Sequence, residues 1–238
     1  MKVMASVSEL HHLDGAESQS AWSEHWSDDR QQSASQRFFS FYRKAVFART
    51  VRYFTNRYFP AQGIFIEAGS GTAETSMRID KRAGGRKLVA TDIVQPVLRQ
   101  CHPVMDSRVC GDIFNLPYAD DSVDGLWNVG VMEHFTQEQI DRIMSEFYRV
   151  LKPGGSIILL WPGADSLPQK MLRLVELVIN SGGKDKDFRF HPPEISQLKS
   201  RAQGHEIVNR NGFNSIHIDY GWRSLLAFKT VVAAKAGN

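Results

Sequence analysis

Cysteine is close to absent: Cys101 and Cys110 are the only two among 238 residues. Two isolated thiols provide neither a disulfide framework nor a metal-type pair, so a reduced, cytoplasmic setting is expected. Long apolar runs are missing as well. The longest, 157–161, is far too short to cross a bilayer, and residues 1–15 contain no signal-peptide core. A soluble protein without a membrane span is therefore expected. Charge of one sign is also lacking, since 29 Lys and Arg against 26 Asp and Glu leave a net +3. So mild an excess does not by itself point to nucleic acid. His11 and His12 have no partner at metal-ligand spacing, and no metal site is expected.

What is present is an ordinary core. A hydrophobic content of 42% suits one sizeable α/β domain. We place that domain at 37–238, after an arm at 1–36 that is polar, rich in Ser, Gln and Asp, and partly disordered by expectation. Trp22, His25 and Trp26 give the arm aromatic content that fits either a lid or a docking contact. Residues 38–59 read as a helix stopped by Pro60. No acidic residue occurs between Asp29 and Glu67, whereas Arg30, Arg37, Arg43, Lys44, Arg49, Arg52 and Arg57 all fall there. Such a run fits a solvated helix face, an anionic substrate or an acidic partner surface.

From Gly63 onward short apolar strands alternate with helical stretches, the pattern of a parallel sheet covered on both faces. Strands are expected at 64–68, 87–91, 107–110, 125–129 and 156–161, with helices at 73–81 and 137–151. The second helix is the clearest, with Ile140, Ile143, Met144, Phe147, Val150 and Leu151 on one face and Lys152-Pro153-Gly154-Gly155 as its stop. An insertion follows at about 162–193, holding a helix at 167–179 and a loop at 181–189. A helix at 193–211 and two strands at 215–220 and 225–234 complete the chain. The short turn between the last two strands predicts antiparallel pairing.

The strongest local signal is the run from Ile64 to Ala73, in which a strand meets Gly69-Ser70-Gly71 and then a helix. Glycines there permit a sharp turn and let a ligand approach the backbone, the arrangement of a nucleotide-like site. Two details depart from a dinucleotide fingerprint. Ala73 or Glu74 stands at the third glycine position, and Glu67 closes the strand with a carboxylate. That carboxylate repels a pyrophosphate but suits a ligand carrying an ammonium and a sulfonium, which favours S-adenosylmethionine over NAD. Asp92 ends the second strand, where an acid can accept ribose hydroxyls or cap a turn. Asp112 follows the third, where it can accept from an adenine amino group beside Ile113 or simply form a turn. All these residues end consecutive strands and converge on one sheet edge.

Taken together, Glu67-Ala68-Gly69-Ser70-Gly71, Asp92, Gly111 to Tyr118 with Asp121 to Asp124, Asn128 to Phe135, and Leu151 to Gly155 resemble the successive motifs of class I S-adenosylmethionine-dependent methyltransferases, in particular those with a methyltransferase type 11-like domain. The resemblance covers about 64–161 closely and the terminal strand pair more loosely. It implies a Rossmann-like, doubly wound α/β fold with a seven-stranded sheet, mostly parallel with a C-terminal antiparallel strand. It implies S-adenosylmethionine as cofactor and a small-molecule methyl acceptor. Glu67, Gly69, Ser70 and Gly71 would frame its methionine part. Asp92 and Ile93 would hold the ribose, Asp112 and Ile113 the adenine, while Asn128 and Val129 would line the floor beneath the methyl group.

Glu133 and His134, just past the fourth strand, are the candidates for a catalytic base, or else they cap the next helix. Trp22, His25, Trp26, Tyr42, Arg43 and His191 are candidates for contact with the acceptor, and Arg43 suits an anionic one. Three other functions compete. A NAD-dependent oxidoreductase shares the glycine turn and Asp92 but leaves Glu67 and Asp112 unexplained. An RNA methyltransferase has only the basic 30–57 segment in its favour, and Asn128-Val129-Gly130 stands where a base-reading Asn/Asp-Pro-Pro-Tyr motif is expected. A non-catalytic cofactor-binding module is the third.

Overall fold

The computed structural model describes residues 43–163, 177, 195–224 and 226–237. The arm, residues 38–42 of the first expected helix, and the 167–179 helix (Leu177 apart) with the loop after it lie outside the described residues.

Seven strands form one sheet in the order β3-β2-β1-β4-β5-β7-β6. They are β1 Gly63–Ala68, β2 Arg86–Asp92, β3 Ser107–Cys110, β4 Val123–Val129, β5 Leu151–Pro162, β6 Phe213–Asp219 and β7 Phe228–Lys235. The first five pair in parallel, and β7 is antiparallel to both β5 and β6. This is the Rossmann-like α/β architecture expected. The central strands are apolar on both faces because both faces are covered. Phe65, Trp127, Ile158 and Leu160 point to one side. Ile66, Leu126, Ile157 and Leu159 point to the other.

Helix α1 (Ala48–Tyr58) covers the first side, after a π-helical turn at Arg43–Phe47. It buries Val51 and Phe54 and ends before Pro60. The buried guanidinium of Arg86, the first residue of β2, donates to the carbonyls of Thr55, Phe59 and Pro60 at 3.0, 2.7 and 2.8 Å. It thereby satisfies carbonyls at the end of α1 and places a cation at the negative end of the helix dipole. After the four-residue α2 (Gln95–Leu98), α3 (Gln137–Val150) covers the second side. Its start is a capping box: Thr136 accepts from the Gln139 N–H while the Gln139 side chain accepts from the Thr136 N–H. On the same side α4 (Arg201–Arg210) packs beside β6.

Four local expectations are corrected. The helix at 73–81 is only a 3-10 turn, Glu74–Ser76. Ala73 is left-handed at φ 53°, and the hydroxyls of Thr75 and Ser76 bond Glu67. The stop at 152–155 is a bulge inside a continuous β5: Val123 pairs with Leu151, and the register then shifts so that Gly125 meets Ser156. The helix at 193–211 begins only at Arg201, where Ser200 accepts from the Gln203 N–H at 3.1 Å and sets the cap. Finally β7 starts at Phe228 rather than residue 225, because the Ser224 hydroxyl bonds both the carbonyl and the N–H of Phe228 and holds a turn before it.

Candidate active site

The carboxyl edge of the parallel strands collects the residues singled out in the sequence. Gly69 and Gly71 both adopt positive φ, 70° and 51°. A Cβ on Gly69 would stand 2.8 Å from a Val131 methyl, so close packing also requires its absence. The N–H groups of Gly69 and Ser70 donate to the Thr91 carbonyl at 2.9 and 3.0 Å, which bends the turn over the end of β2. There the buried Asp92 accepts the Gly71 N–H on one oxygen at 2.8 Å and the Val94 N–H on the other at 2.9 Å. Burial raises the Asp92 pKa, and these N–H donors oppose the rise. Each oxygen retains acceptor capacity for a further donor. Half-buried Ile93 accepts the Cys110 thiol at its carbonyl, 3.6 Å away, joining the ends of β2 and β3.

Glu67 is buried beneath this turn. It accepts the Ser76 hydroxyl at 2.8 Å and the Thr75 hydroxyl at 3.1 Å, while Ser76 receives the Trp127 indole N–H at 3.1 Å. Burial pushes its carboxyl up to about 7, against the hydrogen bonds that favour the charged form. Asp112 turns back on itself, accepting the Phe114 N–H at 2.9 Å, and Ile113 packs half-buried against the core. The hydroxyls of Thr91 and Tyr118 are hydrogen-bonded at 2.6 Å beside them.

At the end of β4, Asn128 is fully buried, and neither its amide oxygen nor its amide nitrogen has a partner among the described residues. Beyond Val129, Gly130 has φ 67°, and a Cβ there would stand 3.2 Å from a carboxylate oxygen of Glu133. Glu133 and His134 sit in the 3-10 turn Met132–His134, with the His134 Nε2 3.9 Å from the Glu133 Oε1. That distance exceeds a hydrogen bond, though the two groups face each other.

The segment returning from the insertion is stitched to the same turn. The N–H groups of Ile195 and Ser196 donate to the Glu133 carbonyl at 2.7 and 3.0 Å, and the Ser196 hydroxyl donates to the Met132 carbonyl at 2.9 Å. Buried Lys229 donates to the carbonyls of Leu198 and Lys199, both at 2.9 Å.

The structure thus gathers Glu67, Gly69, Ser70, Gly71, Asp92, Ile93, Asp112, Ile113, Asn128, Val129, Glu133 and His134 on one sheet edge. Trp22, His25, Trp26, Tyr42 and His191 lie outside the described residues, and of Arg43 only the backbone is described. Sequence reasoning missed Thr75, Ser76, Ser196 and Lys229. The first two carried a signal, a pair of hydroxyls inside an expected helix, while the last two act through contacts distant in the chain. Among the described residues no group of three or more His, Cys, Asp or Glu could hold a metal ion, and no helix is long and apolar enough to cross a membrane.

Residues 66–159 match a protein family described as "Methyltransferase domain". The chain is 39% identical over 114 residues to the biotin biosynthesis bifunctional protein BioHC of Cellvibrio japonicus, a match covering 44% of this chain and 22% of that protein. It is 30% identical over 93 residues to a malonyl-[acyl-carrier protein] O-methyltransferase of Herminiimonas arsenicoxydans, covering 39% and 35%. The match therefore spans well under half the length of these curated relatives. Among solved structures, a SAM-dependent methyltransferase of Thermotoga maritima superimposes with a TM-score of 0.59 at 18% identity, covering 84% of this chain and 94% of that one. That likeness is one of fold.

Proposed function

We propose, from the premise that residues 66–159 form a methyltransferase domain of the class I S-adenosylmethionine-dependent family, that this protein binds S-adenosylmethionine and methylates a nucleophilic oxygen, nitrogen or carbon of a small molecule. The observation that carries the reading is the fit of the sheet edge to a cationic nucleoside ligand. Glu67 is a buried carboxylate bonded to hydroxyl groups, Asp92 keeps acceptor capacity at the glycine turn, and Asn128 presents a buried amide without a partner among the described residues. A buried carboxylate is costly unless an opposite charge arrives, and a buried amide is costly until it is hydrogen-bonded. A pyrophosphate would worsen the first imbalance, whereas an ammonium and a sulfonium relieve it.

In this reading Glu67, Gly69, Ser70 and Gly71 hold the methionine part. Asp92 and Ile93 take the ribose, and Asp112 and Ile113 the adenine. Asn128 and Val129 form the floor. Bound S-adenosylmethionine supplies a methyl group already activated on sulfur, transferred by in-line displacement. The protein's own share is then alignment and exclusion of water, and alignment of this kind is worth roughly 7–11 kcal/mol. On this reading Glu133 and His134 take a proton from an acceptor that must lose one. The returning segment 195–199 is anchored beside them, on the Glu133 carbonyl and on Lys229.

Calorimetric titration with S-adenosylmethionine, and with NADH in parallel, tests this. Binding of the first alone is expected. Binding of NADH alone, or of neither, would overturn the reading.

A further inference from the structure

Methyl transfer leaves one feature of the chain unused: the acid-free basic segment that ends in α1. Arg49, Arg52, Tyr53, Asn56 and Arg57 line an open depression of about 580 Å³ on the outer face of that helix. Their spacing of three and four residues makes them neighbours on one stripe, opposite the buried Val51, Phe54 and Thr55. Arg49, Arg52 and Arg57 are exposed, and among the described residues none has a carboxylate at ion-pair distance. By contrast Arg149 pairs with Asp120 and Glu146, and Arg210 with Asp141.

A second element joins the stripe. The carbonyl of Arg223 accepts the Thr50 hydroxyl at 3.0 Å, which docks the 3-10 turn Trp222–Ser224 on the start of α1. The Arg223 guanidinium lies 3.5 Å from the centre of the Tyr53 ring. Trp222, at 74% exposure, stands beside it on the same turn.

The chemistry of this surface selects among anionic occupants. Arg49 and Arg57 stand eight residues apart on α1, about 12 Å along its axis, so the three cations span more than one small anion can bridge. All its cations are arginines, whose planar forks match carboxylates in pairs of hydrogen bonds. Arginine with tryptophan and tyrosine is also the composition of energetic centres in protein interfaces. A single nucleic-acid strand needs several open rings for base stacking. Here the rings of Tyr53 and Tyr220 are already covered by the guanidinium groups of Arg223 and Arg201.

We infer that the outer face of α1, with the Trp222–Ser224 turn, is a docking surface for an acidic segment of a partner protein. Carboxylates of that segment pair with Arg49, Arg52 and Arg57, and an apolar side chain packs on Trp222. The surface is separate from the residues assigned to the cofactor, so the two readings fail independently.

Fluorescence anisotropy of the full chain with a labelled oligoglutamate peptide carrying a central leucine tests the inference, with a single-stranded oligouridylate of equal charge in parallel. The peptide is expected to bind more tightly than the oligouridylate and to weaken as salt rises. Combining Arg49→Glu, Arg52→Glu and Arg57→Glu should weaken peptide binding by at least about tenfold. Trp222→Ala alone, a change at an exposed side chain that the fold does not need, should weaken it by about fivefold. Affinity for S-adenosylhomocysteine should stay unchanged in both variants. Equal or tighter binding of the oligouridylate would assign the surface to nucleic acid and overturn the inference. Undiminished peptide binding in either variant would overturn it as well.

Discussion

The Asp92 carboxylate accepts the Gly71 N–H at 2.8 Å, so a side chain at the end of β2 holds the glycine turn that follows β1. The same carboxylate accepts the Val94 N–H. Asp92→Ala leaves two backbone donors without this acceptor, at a cost of about 1–3 kcal/mol in stability. If Asp92 also receives the ribose, the variant loses at least about tenfold in affinity for S-adenosylmethionine, as befits hydrogen bonds to a charged group. Thermal melting and calorimetry on the folded variant read the two effects separately. Unchanged affinity would remove Asp92 from the cofactor site.

Gly69 and Gly84 form a matched pair for separating backbone conformation from crowding. Both have positive φ, 70° and 84°, but a Cβ on Gly84 meets nothing within 4 Å whereas one on Gly69 meets Val131 at 2.8 Å. Gly84→Ala should therefore cost about 1 kcal/mol through left-handed strain alone and leave cofactor binding intact. Gly69→Ala carries the same strain plus a collision with the β-branched side chain of Val131, whose χ1 is restricted. It should melt at a lower temperature than Gly84→Ala and bind S-adenosylmethionine more weakly. Equal behaviour of the two variants would show that the glycine turn tolerates a side chain.

Burial raises the Glu67 carboxyl from 4.5 to about 7, despite its hydroxyl partners. Below about 4.5 the group is protonated in both folded and unfolded chains, and it contributes no pH dependence. Between 4.5 and 7 the unfolded chain ionises while the folded one keeps its proton, so folding stability falls as pH rises. Above 7 both are ionised and the loss levels off, at an order of 3 kcal/mol. Glu67→Gln keeps the shape without the charge. Its melting temperature relative to the parent should therefore climb across that window and then stay constant. A difference independent of pH would mean that Glu67 is already charged and compensated. A cationic ligand acts in the opposite sense, and binding of S-adenosylmethionine near neutral pH should release protons, measurable by calorimetry in buffers of different ionisation enthalpy.

The parts of the fold that could be read from the sequence were those set by local pattern. The apolar runs of β1, β2, β4 and β5, the glycine pair after Glu67 and the apolar stripe of α3 each follow from neighbouring residues. What could not be read was set by contacts distant in the chain. Thr75 and Ser76 looked helical because nothing nearby shows that Glu67 takes their hydroxyls. The Lys152-Pro153-Gly154-Gly155 run follows the end of α3 at Val150, yet the pairing of Val123 with Leu151 makes it a bulge within β5 rather than a loop before it. Antiparallel pairing of β6 with β7 follows from their short connection, but the insertion of β7 between β5 and β6 depends on the β5 pairing partner. For the site, strand ends were enough to bring the carboxylates together. The anchoring of Glu133 by Ile195 and Ser196 was not foreseeable, since it joins segments on either side of the insertion.

Asn128 tests whether the sheet edge is built for a ligand or merely tolerates a polar residue. Its amide is fully buried, and among the described residues neither atom is bonded. Its neighbour in register, Leu159, belongs to the apolar core cluster. An unsatisfied buried group of this kind costs about 1–3 kcal/mol, and leucine has the same branched arrangement of side-chain heavy atoms, somewhat bulkier, without that cost. Asn128→Leu should therefore raise the melting temperature of the ligand-free protein, by about 2–4 °C for each kcal/mol recovered in a chain of this size. If the amide is kept for the cofactor or the acceptor, the same variant should bind S-adenosylmethionine more weakly or lose methyl transfer while binding it normally. Higher stability together with impaired function is the signature of a residue retained for its ligand. Higher stability with full function would leave Asn128 without a role in the site. Lower stability would mean that the amide is already satisfied in the folded chain or that the bulkier leucine overpacks the site, and Asn128→Ala, which adds no bulk, separates the two.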